Sequence, residues 1–211
     1  SSATDRLEDP VFENKTPESF ITVVTPLYTA TISSRSGGTL NSYTLTQISS
    51  DNYKHKGGYN EYGIYNENMP VSLILSTKDH CLPCLAVYDD QKDNYNFIND
   101  PFILVGYHNS PDTVFLNSGE SIGFRYELND VRGNVLVQKS LSFSADNFIS
   151  NHDFTVNDNH LDYVNSLELM WAGGLRPSEM REDEDVQYGS GIISQAGELE
   201  DIQTKGPDKN I

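Results

Sequence analysis

The sequence predicts an all-β protein built from antiparallel strands. Three consecutive segments, residues 122–128, 135–143 and 148–156, alternate apolar and polar side chains. Successive side chains on a strand point to opposite faces, so this alternation is typical of strands with one buried face and one solvated face. No stretch of ten or more residues has the 3.6-residue period of a helix. We therefore expect a meander of three strands within an antiparallel sheet protein that has little helix.

The other predicted strands are shorter. Residues 20–25, 27–33 and 40–47 form the first three strands. A turn at Ser36-Gly37-Gly38-Thr39 separates the second from the third, because Gly supplies the positive φ that tight hairpins need. Residues 49–68 are rich in Tyr, Asn and Gly, show no period and are predicted to form a long loop. Further short strands are predicted at residues 71–76, 86–88, 102–106, 113–117 and 166–171.

Composition limits both the architecture and the partners. A chain of 211 residues buries roughly 70% of its unfolded surface, so one β domain can fold without a disulfide or a metal. The formal charge of −17 argues against nucleic acid as a partner, because phosphate binding depends on Lys and Arg. An anionic bilayer is also expected to repel this surface. No apolar run approaches the ~20 residues of a membrane helix, and no signal peptide is evident.

The two ends of the chain differ from the rest. Residues 1–19 are polar, contain two prolines and are interpreted as a linker or a loosely held arm. The tail from Leu175 onward contains few apolar residues. Because we find no internal repeat and no second boundary, residues 20–211 are predicted to form a single β-sandwich domain.

Cys81-Leu82-Pro83-Cys84 is the most conspicuous motif. Thiol oxidoreductases use a C-x-x-C pair of this kind after a strand of a βαβ unit. Here a strand pattern follows the pair instead, which favours a disulfide at a strand end or two free thiols over redox chemistry. A metal site is a further alternative, but zinc takes four ligands and His80 would supply only a third. A disulfide would suit an oxidising compartment.

No other group of residues receives a catalytic assignment. His152 and His160 flank Asp153 and Asp158, which offers the groups of an acid–base pair, but a half-buried or surface His is the better interpretation. No G-x-S-x-G motif marks a nucleophile. Residues 179–185 form an acidic run that lacks the register of a calcium loop and is interpreted as a solvated loop. We therefore predict no catalytic, cofactor-binding or metal site.

Two long segments resemble one protein family. Residues 20–45, FITVVTPLYTATISSRSGGTLNSYTL, resemble the opening strands of the large periplasmic domain of the YidC membrane-protein insertases. In that family an Arg-Gly-Gly turn leads into the third strand, and here the turn is one residue longer. Residues 125–158 resemble the central meander of the same domain. The family's Gly, Lys and Phe positions in that meander correspond here to Gly133, Lys139 and Phe143.

Two further segments resemble the Bacteroidetes-like branch of this family. They are residues 167–179, LELMWAGGLRPSE, and residues 197–199, GEL. Together the four segments frame residues 20–200 in the family's order. The Cys pair is a departure from the family. Family domains also usually continue through a further strand set, which implies that the sandwich is incomplete where this chain stops at Ile211.

The resemblance implies a fold and a location. The fold would be an antiparallel β-supersandwich, similar to galactose-mutarotase-like domains. The domain would lie on the periplasmic side of the bacterial inner membrane, between the first and second transmembrane helices of the full protein. That protein would insert and fold inner-membrane proteins, alone or with the Sec translocon.

The resemblance also implies what this domain does. Insertion in this family belongs to the transmembrane core, so the domain is expected to be non-enzymatic. We expect it to act as a docking and spacer module for Sec translocon components or for emerging membrane-protein chains. No cofactor is expected.

Two alternatives remain open. The first is a carbohydrate-binding or mutarotase-like sandwich, because twelve Tyr and nine Phe are enough to line a sugar-binding face, although such residues more often fill the space between two sheets. A mutarotase needs a His and a carboxylate that converge in one cleft. The second alternative is a secreted adhesion module.

Overall fold

The computed structural model describes residues 16–60, 62–75, 81–89, 93–107, 112–157, 167–172, 175–176, 178, 190–195 and 198–203. Across these residues the chain is all-β and has no helix, which confirms the predicted fold class. None of this part of the chain therefore forms a helix that is long and apolar enough to span a bilayer. The strands are β1 (Phe20–Val24), β2 (Tyr28–Ser33), β3 (Thr39–Leu45), β4 (Ile48–Ser49), β5 (Asn52–Tyr53), β6 (Ser72–Leu75), β7 (Cys81–Asp89), β8 (Asn94–Phe97), β9 (Ile103–Val105), β10 (Thr113–Phe115), β11 (Ser121–Asn129), β12 (Val135–Ser144), β13 (Ser150–Val156), β14 (Leu167–Ala172), β15 (Ser190–Gln195) and β16 (Glu198–Gln203).

The first sheet has five strands in the order β10-β1-β2-β3-β6. β1, β2 and β3 form an antiparallel meander, whereas β10 lies parallel to β1. Gly37 and Gly38 adopt φ angles of +71° and +93° between β2 and β3. This conformation is easy for Gly and strained for other residues, and it confirms the predicted turn.

The second sheet has four strands in the order β13-β12-β11-β9, and every pairing in it is antiparallel. Phe124 is buried and Arg125 is exposed, which confirms the alternation predicted for the meander. The predicted start of the third segment was wrong, because β13 begins at Ser150 and not at Phe148. The backbone carbonyl of Phe148 instead accepts a hydrogen bond from the Tyr43 hydroxyl, which holds this residue in the turn.

A third sheet has the order β14-β7-β8, and β4-β5 and β15-β16 form two-stranded hairpins. β7 is longer than the strand predicted at residues 86–88, and β8, β15 and β16 were not predicted. Every residue from Cys81 to Ala86 is buried, so this part of β7 lacks the alternation on which the prediction depended. β5 lies inside the predicted loop at 49–68, and β4 begins one residue before it, at Ile48.

The buried faces of the first two sheets share one hydrophobic cluster. The rings of Tyr28 in β2 and Phe143 in β12 contribute to it, with centroids 6.5 Å apart. This shared interior is consistent with a β-sandwich, in which inner faces of two sheets interdigitate. The more specific supersandwich stays a prediction.

The predicted polar arm at residues 1–19 lies mostly outside the described residues. Near its end, the backbone N–H of Ser34 donates to the Ser19 carbonyl over 2.8 Å, and the Ser33 hydroxyl donates to the Glu18 carboxylate. These contacts hold the chain before β1 against the end of β2. The boundary between arm and domain stays a prediction.

Candidate functional site

Cys81 and Cys84 lie at the start of β7 and are joined in a disulfide. Both residues are buried, with 1% and 0% of their surface exposed. A disulfide that exchanges with substrate thiols sits in a partly exposed site, so this geometry suits a structural bond. His80, the third candidate ligand for a metal, lies outside the described residues. Within the described residues, no group of three or more His, Cys, Asp or Glu could hold a metal ion.

His152 and Asp153 do not form an acid–base pair. They are neighbours on β13, so their side chains point to opposite faces of the sheet. His152 is partly buried on the inner side, whereas Asp153 is exposed on the outer side. His160, Asp158 and the acidic run at 179–185 lie outside the described residues.

Burial lowers the pKa of His152 to about 3, and the nearby Lys139 adds to the effect. The Nε2 atom of this His lies 3.1 Å from the Ser150 hydroxyl. Among the described residues, none forms a hydrogen bond with its Nδ1 atom. A neutral imidazole in this position is a packed side chain that carries no charge at neutral pH.

The most unusual polar group in the described interior is Lys139, in the middle of β12. Its side chain is 0% exposed. The Nζ atom donates to the carbonyls of Ser36, Gly38 and Pro83 over 3.3, 3.2 and 3.0 Å. An ammonium group has three N–H donors, so these three acceptors can satisfy all of them. We call this arrangement the lysine junction.

The lysine junction connects three sheets. Lys139 belongs to the four-stranded sheet, Ser36 and Gly38 to the turn between β2 and β3, and Pro83 to the three-stranded sheet. The Nζ atom also lies 4.7 Å from the centroid of the Phe154 ring, within the range of a cation–π contact. One side chain thus fixes the relative positions of a turn and two strands.

The β2–β3 turn lies directly against β11 and β12. A Cβ atom on Gly38 would come within 2.7 Å of Leu141 Cδ2 and 2.9 Å of Tyr126 Cε2. A Cβ atom on Gly37 would come within 3.0 Å of Lys139 Cβ. The turn therefore needs Gly for close approach as well as for its backbone angles, and this close approach brings its carbonyls to the ammonium.

Burial lowers the pKa of Lys139 to about 7. The carbonyl acceptors oppose this effect, because they stabilise the charged form that donates three hydrogen bonds. Among the described residues, the titratable groups near the ammonium include His152 on β13 and Tyr126, the direct neighbour of Lys139 on β11. Burial raises the pKa of Tyr126 above its ordinary value, so neither neighbour carries a charge at neutral pH.

The burial of Lys139 was not predicted, although the alternation of side chains in β12 indicates it. Val137, Leu141 and Phe143 define the buried side of β12, and position 139 falls on the same side. A Lys at a buried position of a strand is rare unless its charge is compensated. A Lys at that position therefore indicates an internal polar contact.

A second polar contact joins the two main sheets at a different place. Tyr28 and Tyr43 are stacked, with ring centroids 4.6 Å apart. Their hydroxyls donate to the carbonyls of Ser144 and Phe148 over 2.9 and 3.0 Å. Burial is the main factor that raises the pKa of both phenols. We call these two residues the tyrosine pair.

The outer side of the four-stranded sheet holds an open hollow of about 350 Å³. Small side chains form its floor, including Gly123, Ser140 and Ser142, and Arg125 and Asp153 stand beside them. Phe124 lines the hollow but is only 3% exposed, because its ring points into the core. The hollow therefore offers polar groups without an exposed aromatic face.

Comparison with protein-family models, with curated proteins and with solved structures finds no match to this chain.

Proposed function

We propose that this chain is the extracytoplasmic domain of a YidC-type membrane-protein insertase on the periplasmic face of a bacterial inner membrane. In this proposal the domain is a docking and spacer module for Sec translocon components or emerging membrane-protein chains. Insertion itself belongs to the transmembrane part of the full protein.

The observation that carries the proposal is the lysine junction. The first resembling segment contributes the turn with Ser36 and Gly38, and the second contributes Lys139, about a hundred positions later in the chain. Nζ–O distances of 3.3 and 3.2 Å bring these motif residues into direct contact. In this proposal the two segments that carry the resemblance belong to one domain, and this buried contact joins them in its core.

The disulfide supports the extracytoplasmic location. Disulfides form and persist in oxidising compartments such as the periplasm, and they are rare where cytosolic reductants keep thiols reduced. Cys81 and Cys84 are joined and buried, which suits a structural bond in a protein that folds after export.

The surroundings of the titratable groups favour a binding function over a catalytic function. Catalytic groups with perturbed pKa values usually line a cleft. Here Lys139 is fully buried against carbonyl groups and a ring, and His152 and Asp153 face opposite sides of β13.

The carbohydrate alternative would use the hollow on the outer side of the four-stranded sheet, but its lining lacks the exposed aromatic face on which sugars stack. A sugar titration that shows saturable binding at Arg125 or Asp153 would favour this alternative.

Deletion of residues 20–211 from the full-length protein tests the proposal. We expect insertion of membrane proteins to continue at nearly the same rate, whereas copurification with Sec components falls. Replacement of the deleted residues by an unrelated β-sandwich of similar size is the matched control, because it restores spacing without docking. Loss of insertion in a deletion variant that reaches normal membrane levels would contradict the proposal.

A further inference from the structure

The outward strand positions of the five-stranded sheet hold no ionisable side chain among the described residues, although the Glu18 carboxylate accepts a hydrogen bond from Ser33, which pairs with Phe20 at one end of β1. This is notable in a chain whose formal charge is −17. Pairing register and burial define these positions, because the alternate residues of the same strands are buried in the core. We call this surface the hydroxyl face, and it consists of Phe20, Thr22, Val24, Thr29, Thr31, Ser42, Thr44, Ser72, Thr113 and Phe115.

Several hydroxyls of this face are paired with each other across neighbouring strands. The hydroxyls of Thr22 and Thr31 are 3.1 Å apart, and those of Thr44 and Ser72 are 2.9 Å apart. Because these groups have partners within the sheet, covering them removes fewer hydrogen bonds to water than covering isolated hydroxyls would. The face can therefore be buried by a partner at a low desolvation cost.

One side of the hydroxyl face carries an apolar strip. Phe20 and Phe115 are 45% and 72% exposed, and Val24 is the direct neighbour of Phe115 in the β1–β10 register. All three belong to the two strands at one margin of the sheet, but Phe20 lies at the other end of β1, with Thr22 and Thr113 between it and the Val24–Phe115 pair. The apolar contact area beside β10 therefore comes mainly from Phe115 and Val24.

β10 also offers backbone groups for pairing. The N–H of Thr22 donates to the Asp112 carbonyl, and the N–H of Leu116 donates to the Val24 carbonyl. Because bonding direction alternates along a parallel strand, the backbone groups of Thr113 and Phe115 point away from β1. Within the described residues, none pairs with them. The opposite margin of this sheet differs, since the N–H of Arg176 donates to a carbonyl of β6.

β13 is a longer edge strand, but it is protected. Asp153 projects from its outer side, and a charge on an edge strand discourages pairing with another chain. β10 itself contains no charged residue, although it is short and the exposed Asp112 directly precedes it. The edge strand β9 is also uncharged, but it lacks an exposed aromatic side chain like Phe115 of β10. This side chain favours β10 as the edge that accepts a partner.

We propose that the β10 edge and the apolar strip bind an extended, uncharged polypeptide segment as an added strand. Strand addition draws affinity from backbone hydrogen bonds and selectivity from side-chain contacts. Cationic segments would be attracted to the acidic remainder of the surface, whereas an uncharged segment suits a face without charges. The inference deepens the function proposed above, on which it rests, because it names the chemistry of the emerging chain and the strand that receives it.

The test is a titration of the 211-residue chain with a fluorescent ten-residue peptide of alternating Thr and Val, followed by fluorescence anisotropy. We expect saturable binding that Phe115→Lys weakens at least tenfold. Phe97→Lys is the matched control, because Phe97 is an exposed Phe on another edge strand, and this variant should bind as the unmodified chain does. A peptide of alternating Glu and Lys should not bind.

Three results would overturn the inference. They are absence of saturable binding up to millimolar peptide, equal weakening by both Lys variants, and equal binding of the charged peptide. Sedimentation velocity tests the other occupant, since a dimer that Phe115→Lys dissociates would assign the strip to a second copy of this chain. If peptide binding fails while the deletion still weakens Sec association, the inference falls and the proposed function stands.

Discussion

The lysine junction and the tyrosine pair hold the same two sheets together by opposite means. At the junction, the four-stranded sheet donates a charged group to a turn of the five-stranded sheet. At the tyrosine pair, the five-stranded sheet donates neutral hydroxyls to carbonyls at the end of β12 and in the turn after it. Both contacts use backbone carbonyls as acceptors, but the stability that they give depends on pH in opposite directions. The Lys donor becomes charged when it is protonated, whereas the Tyr donor becomes neutral.

The largest expected effect is the pH dependence of the junction. The pKa of Lys139 is lowered from its ordinary value of 10.5 to about 7, so the unfolded chain binds more protons between these values and folding becomes more favourable as pH rises. A lowering from 10.5 to about 7 corresponds to about 5 kcal/mol over the whole interval. Urea unfolding at pH values from 7 to 9 should show a rise in stability with pH.

Lys139→Met is the control for that slope, because it keeps an unbranched side chain without a titrating group. The free energy of unfolding of this variant should be nearly constant between pH 7 and 9. His152 contributes mainly below this window, because burial lowers its pKa to about 3. The tyrosines with raised pKa values contribute above it, as the pH approaches the unfolded phenol value of about 10. An unchanged slope in Lys139→Met would assign the effect to other groups.

The next effect concerns volume at the junction. Lys139→Ala should unfold about 3 kcal/mol more easily than Lys139→Met, because it leaves a cavity beneath the β2–β3 turn. Thermal or urea unfolding of both variants at pH 7 measures the difference. Ser140→Ala, on the outer side of the same strand, should differ little from the unmodified chain. Equal stability of the Ala and Met variants would mean that the turn collapses onto β12.

A smaller effect is expected at Gly38 in the β2–β3 turn. Comparison with a second glycine separates the cost of a steric clash from the cost of backbone strain. Gly38→Ala should cost about 2–3 kcal/mol, because the new Cβ meets Leu141 and Tyr126 and the backbone has positive φ. Gly119→Ala is matched in φ but has open space around the new atom, so it should cost about 1 kcal/mol. Equal costs, measured by urea unfolding, would show that packing against the turn contributes nothing.

The smallest effect is expected at the tyrosine pair. Tyr28→Phe should lower the free energy of unfolding by about 1 kcal/mol, because the carbonyl of Ser144 loses a donor. The pKa of Tyr28 is raised in the folded chain, so the stability that depends on its proton is present below the unfolded pKa of about 10 and lost at higher pH. The variant should therefore lose less stability than the unmodified chain above pH 10. A loss as steep as that of the unmodified chain would exclude Tyr28 as the titrating group.

The sequence predicts the parts of the fold whose two faces differ in polarity. The meander through β11 and β12 and the Gly turn at Gly37 and Gly38 follow directly from alternation and backbone preference. β7 escaped prediction over much of its length because residues from Cys81 to Ala86 are buried on both sides and show no alternation. The β15–β16 hairpin was not predicted because its apolar residues do not alternate: Ile192 and Ile193 are adjacent, and Leu199 and Ile202 are three positions apart.

The candidate site was harder to predict than the fold, because its contacts are non-local. The motif residues of the β2–β3 turn and Lys139 were both noted, but as separate pieces of a resemblance. Their meeting depends on how the sheets stack, which no local pattern encodes. The Cys pair was noted from its spacing alone, and spacing does not reveal whether two thiols are joined.

Separations of 101 and 103 positions between Lys139 and its acceptors in the turn have a consequence for biogenesis. At 5–20 residues per second, the ribosome needs about 5–20 s to supply the later partner. During that interval the carbonyls of the β2–β3 turn have no hydrogen bond from Lys139. For part of it, β1 also has no β10 strand beside it. We therefore expect the yield of native protein to depend on how fast translation supplies the second half of the chain.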